Sequence, residues 1–194
     1  MLSEKEIRDF LEEGHESRNL DFKASFICDE ASLAKDILAM TNTPLGGVII
    51  IGVKEEDDNF VFEGMTSAHF DTYEEDKFRD QIGEYTEPSA KFILEKHSID
   101  AKNLVIIQVS EFDLVPVLCK KDGKGLRKGA IYIRTKHKRW ASEEPKTHEE
   151  MREIIDLATD KNVKNWAKRG YVVFPNLQQG IKPDDNFKKQ RDGL

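Results

Sequence analysis

The chain has 194 residues, is 38% hydrophobic and carries a formal net charge of −7 at pH 7. That apolar share is enough to bury a core and excludes a disordered chain. No stretch approaches the ~18 consecutive apolar residues of a membrane-spanning helix, and the acidic balance argues against indiscriminate nucleic-acid binding.

Ser3 with Glu6 forms a capping-box pattern, and Ile7, Phe10 and Leu11 share one face, predicting a helix over 3–13 stopped by Gly14. This charged start lacks the apolar run of a signal peptide. Cys28 and Cys119 lie far apart with no C-x-x-C spacing, so a cytoplasmic protein with reduced thiols is expected. Over 19–26, Leu20, Phe22 and Ala24 alternate with Asp21, Lys23 and Ser25, the pattern of a half-buried strand with a polar face. Asp29 caps a second helix that runs out near Thr41, and residues 46–53 (GGVIIIGV) read as a central strand covered on both faces.

A short strand is predicted at 60–62 after an acidic turn, then a helix over 71–83 begun at Asp71 and ended by Gly83. Strands follow within 90–97, 103–111, 115–119 and 129–136. Thr147 with Glu150 opens a helix carrying Met151, Ile154, Ile155 and Ala158, with a further helix over 159–168 and a strand at 171–174. The fold class is α+β, a mixed α/β layer structure with a mixed sheet flanked by helices in a single lobe. The domain spans 1–145, a helical extension spans 146–174, and the polar, patternless residues 175–194 read as a flexible tail.

Many enzyme signatures are missing. Gly46-Gly47 precedes its strand and so forms no dinucleotide-binding turn, and GKGLRKG lacks phosphate-loop spacing. That disfavours a nucleotide-binding domain. No zinc spacing and no nucleophile elbow occur. What remains is the segment ESRNLDFKASF, residues 16–26. Asp21 and Lys23 point to one side of a strand, and Glu16 can reach the same end. Two carboxylates beside a lysine can hold a divalent metal while the lysine offsets transition-state charge. On spacing alone the simpler reading of the same residues is a solvated charge set at a strand edge. A second feature is basic: between 120 and 139 there are nine Lys/Arg and one acid, Asp122. They are Lys120, Lys121, Lys124, Arg127, Lys128, Arg134, Lys136, Lys138 and Arg139, either a phosphate-holding groove or a lysine-rich hairpin kept soluble by charge.

Three segments taken together resemble the AlbA-like domain of the Schlafen family and its prokaryotic relatives. They contain Glu16, Asp21-Phe22-Lys23, Asn42-Thr43, Gly46-Gly47, Ile51-Gly52-Val53, Gly64, Pro116 and Tyr132-Ile133-Arg134. The resemblance spans about 14–142. Asp21 stands where the family usually has Glu, Thr-Pro-Leu adds a residue before the Gly pair, and Lys54 replaces a common Asp. The resemblance implies a metal-dependent endonuclease cleaving structured RNA, with RNA ahead of DNA as partner. Glu16, Asp21 and Glu55 (or Glu56) would be the carboxylates holding Mg²⁺ or Mn²⁺, with Lys23 beside them. The alternative is a non-catalytic DNA- or RNA-binding or transcription-regulatory module of the same family. Schlafen cores pair two lobes, so this single lobe implies a homodimer. Arg134 binds phosphate or pairs with a carboxylate, Trp140 stacks on a base or packs on the body, and Asn42 caps its helix or fixes the following turn.

Overall fold

The computed structural model describes residues 2–25, 29–57, 59–136 and 139–171. The expected strand at 171–174 and tail at 175–194 fall almost wholly outside these, as do Cys28 and Lys138. Helix α1 (Glu4–Glu13) has the reciprocal Ser3/Glu6 capping box at its start and left-handed Gly14 at its end. Strand β1 (Leu20–Lys23) leads through helix α2 (Glu30–Thr41), capped by Asp29, to strand β2 (Gly47–Ile51). Two polar side chains fix that return. Asn42 donates to the Val117 and Tyr132 carbonyls and accepts from Val117 N–H, so it braces the turn. Asn19 donates to the Pro44 carbonyl at 2.9 Å. The glycine pair is steric: a Cβ on Gly46, at φ 69°, would collide with the Val109 carbonyl oxygen, and one on Gly47 would strike Met40 Sδ.

Gly52, at φ 118°, bends the apolar run. Strand β3 (Val53–Glu56) therefore leaves the main sheet and pairs with β4 (Asn59–Phe62) as a separate antiparallel hairpin. The helix expected over 71–83 is instead two, α3 (Ser67–Thr72) and α4 (Glu75–Gly83). Thr66 caps the first, and Tyr73 leaves helical geometry at ψ 90° and turns its ring towards Phe78, 6.1 Å away. The short β5 (Thr86–Glu87) is followed by β6 (Phe92–Ile99) and β7 (Lys102–Val109). The two-residue β8 (Leu118–Cys119) pairs with β5, and β9 (Ile133–Lys136) pairs with β10 (Trp140–Glu143). Residues 148–168 form one helix, α5 (His148–Lys168), in place of the two expected. Nothing in 155–162 breaks the helix, since that stretch has neither Gly nor Pro.

The main sheet runs β1-β2-β7-β6, with β1 and β2 parallel and the other pairs antiparallel. It is the expected α+β arrangement. Ile49, Ile50 and Ile51 are fully buried, contributing roughly 2 kcal/mol each. Alternation sends Ile49 and Ile51 into a core with Leu33, Ile37, Leu38 and Phe92, and Ile50 into one with Ile7, Phe22 and Ile106. The sheet is thus covered on both faces, α2 on one and α1 on the other. The chain divides into two units, Met1–Thr159 and Asp160–Leu194, the boundary falling within α5. In the second unit the helix closes on Gly170 at φ 82°, with Tyr171 N–H donating to the Trp166 carbonyl. No helix of the described residues is long and apolar enough to cross a membrane.

Candidate functional site

Asp21 and Lys23 lie on one side of β1 as expected, but Asp21 is buried there and Lys23 only partly exposed. Helix α2 brings Asp36 to that side, and the β9–β10 hairpin brings Arg134 and Ser142, which are directly opposed across their strands. Asp21 is 1% exposed and Arg134 2%. Arg134 Nη1 stands 2.9 Å from Asp21 Oδ1, and Lys23 Nζ stands 2.5 Å from Asp21 Oδ2 and 3.1 Å from Asp36 Oδ2. Ser142 Oγ donates to Asp36 Oδ1 at 2.5 Å, and Arg134 donates to the Ser17 carbonyl and, at 3.4 Å, to Ser142 Oγ. Two cations and two carboxylates therefore balance in the interior, where an unmatched charge would be costly. Burial works against the Lys23 ammonium, but Asp36 and Asp21 outweigh it and hold the lysine above its ordinary value. Burial, then the neighbouring Asp21 charge, raises Asp36.

Glu16 is the third carboxyl here and has no cation within ion-pair distance among the described residues. Burial and the charge of Asp21 push it up to about 7, against the Phe22 N–H that donates to its Oε1 at 3.2 Å. Close to neutral pH it therefore exchanges between acid and carboxylate. Glu16 also lines a surface pocket of about 310 Å³ whose walls are two hairpins. From β3–β4 come Glu55 and Phe60, directly opposed; from β9–β10 come Lys136 and Trp140, also directly opposed. Arg139 pairs with Glu55 across the gap, and His15 completes the lining. Alternation along β3 separates the two acids considered at this position. Glu55 faces the pocket, whereas Glu56 pairs with Lys54 at 2.7 Å.

The basic residues divide three ways. Arg134 is interior and belongs to Asp21, which corrects its expected place in a phosphate-binding surface. Lys136 and Arg139 belong to the pocket. Lys138 lies outside the described residues, and the other five lie along 120–128, where Lys121 pairs with Glu84 over the Tyr85 ring, Arg127 with Glu144, and Lys124 with Asp29 at a loose 3.5 Å. Lys120 and Lys128 are exposed and have no ion pair among the described residues. Cys119 is free and buried.

Glu16 and Glu55 thus come together at the pocket, while Asp21 and Lys23 are not part of its lining. Both Asp21 oxygens face cations, and Glu55 is held by Arg139. Among the described residues no three His, Cys, Asp or Glu side chains come close enough to hold a metal ion. As arranged, these residues do not fit a resident Mg²⁺ or Mn²⁺. Asp36, Ser142 and Phe60 join the site without being singled out by any sequence pattern above. Asp36 carries one signal, a lone acid between Ala34 and Ile37 on an otherwise apolar helix face.

A family model described as Schlafen, AlbA_2 matches residues 16–140. Comparison with curated proteins gives no match. Among solved structures, one similar chain is the N-terminal domain of a protein described as related to the ATP-dependent DNA helicase RecG, from Nitrosomonas europaea. It is 21% identical with a TM-score of 0.50, covering 76% of this chain and 99% of that one, a likeness of fold alone. The DIP2311 protein from Corynebacterium diphtheriae is 16% identical with a TM-score of 0.41, over 61% of this chain and only 21% of its own.

Proposed function

This chain belongs to the Schlafen AlbA_2 family, and we propose that it is a nucleic-acid-binding domain that takes RNA ahead of DNA and holds the strand by its phosphates. The observation that carries this is the division of charge. Asp21 and Lys23, the pair best suited to chemistry, are committed to Arg134 and Asp36 in the interior, where they stabilise the fold. Among the described basic residues of 120–139, those least engaged by acids are on the surface: Lys120, Lys128 and, with one loose pair to Asp29, Lys124 along one loop, and Lys136 at the pocket. Lysines on such a loop position a backbone without reading sequence. Their neighbours Glu84, Asp29 and Glu144 keep the surface from becoming uniformly basic, which favours moderate, salt-sensitive binding.

A second possibility, a metal-dependent endoribonuclease, is favoured by one observation: Glu16 and Glu55 line one pocket beside Lys136 and Arg139. The homodimer implied by a single lobe, and the cytoplasmic setting expected from the widely spaced cysteines and the charged start, belong to the same proposal. Fluorescence anisotropy with labelled tRNA, single-stranded RNA and single-stranded DNA tests it, with light scattering on the same samples. Micromolar or tighter RNA binding by a dimer is expected. Absence of binding to all three probes at 50 mM salt, roughly the low end of the working range, would remove the proposal.

A further inference from the structure

We propose that the pocket between the two hairpins receives one unstacked nucleobase of a single-stranded nucleic acid, with Trp140 as its stacking surface, an inference that rests on the nucleic-acid function above. The pocket is built from two cross-strand pairs, each an aromatic ring beside a charge: Trp140 opposite Lys136 and Phe60 opposite Glu55. Each ring already has a neighbour before any ligand arrives. Phe60 packs on the buried Phe22 ring at 5.0 Å between centroids, and Lys136 Nζ lies 5.5 Å from the centre of the half-buried Trp140 ring. The Arg139–Glu55 ion pair ties the two hairpins together.

The space suits one base. At about 310 Å³ it lies at the lower end of the ~300–1,000 Å³ typical of small-ligand sites, too small to admit a duplex. The chemistry suits one too. An aromatic face accepts any base by stacking, Lys136 meets a flanking phosphate, and the Glu16 carboxyl and His15 ring supply hydrogen-bonding groups for a base edge. A duplex keeps its bases stacked and paired, so it can offer phosphates to the lysine loop but no base to the pocket.

The test compares the full chain with Trp140→Ala and Trp140→Phe on one sequence prepared as single-stranded RNA, single-stranded DNA and duplex. Trp140→Ala is expected to weaken single-strand binding about tenfold or more, for RNA and DNA alike, and to leave duplex binding within about twofold. Trp140→Phe, which keeps a ring, should recover most of the loss, and it keeps the test valid if the alanine variant folds poorly. If Trp140→Phe and Trp140→Ala both bind single strands within about twofold of the wild type, the pocket is not a base site. A loss of equal size on single strands and duplex would overturn it as well. Wild-type protein that binds no nucleic acid in any form would instead remove the function itself, and this inference with it.

Discussion

Replacing Asp21 with alanine is expected to destabilise the fold by about 3–5 kcal/mol, the usual cost of stripping one partner from a buried ion pair. The side chain is 1% exposed and answers two cations. Without it, Lys23 retains Asp36, but Arg134 is left 2% exposed with only neutral acceptors, Ser142 Oγ and the Ser17 carbonyl. Asp21→Asn should recover part of the loss, because an amide oxygen still accepts from the guanidinium. The double variant Asp21→Leu/Arg134→Met should lose less than the two single changes combined, since it removes both charges together. Urea unfolding followed by circular dichroism reads all of these variants against the wild type. A solvated strand-edge acid, the simpler expectation from the sequence, would cost within about 0.5 kcal/mol, so a loss that small would place Asp21 outside the interior network.

Replacing Lys120, Lys124 and Lys128 together with alanine is expected to flatten the salt dependence of single-strand binding. Every phosphate that a lysine no longer neutralises lowers the slope of log affinity against log salt by about 0.7, so the triple variant should lose about 2 in slope. Stability should hardly move, because Lys120 and Lys128 have no ion pair among the described residues and Lys124 has one loose partner at 3.5 Å. Lys121→Ala and Arg127→Ala should each act more weakly than the triple change, because Glu84 and Glu144 already engage those side chains. An unchanged slope in the triple variant would show that the strand lies elsewhere.

Much of the fold is legible in local chemistry. The Ser3/Glu6 box, Gly14, the Asp29 cap and the Thr147/Glu150 pair each act over a few residues, and each stands where its pattern puts it. The run 46–53 reads as a buried strand because Ile49 to Ile51 leave no polar face. The interior network is not legible in the same way. Period-two alternation correctly puts Asp21 and Lys23 on one side of β1, but it cannot say that Arg134, 113 positions later, arrives to cover that side. Asp21 and Arg134 both belong to the Schlafen-like pattern, and that joint presence is the available sign of their pairing. The break between α3 and α4 is hidden for a local reason. Asp71 resembles a cap, whereas the Thr66 hydroxyl caps the earlier helix and Tyr73 turns towards an aromatic neighbour.

On the binding role proposed above, Asp21 stabilises the interior and does not cleave a strand. Wild-type protein incubated with tRNA and Mg²⁺ or Mn²⁺, with Asp21→Asn and Glu16→Gln alongside, measures this directly. RNA that is bound but left intact by the wild type is the predicted result. Metal-dependent cleavage that disappears in Asp21→Asn while that variant stays folded would contradict it and make the nuclease the better description.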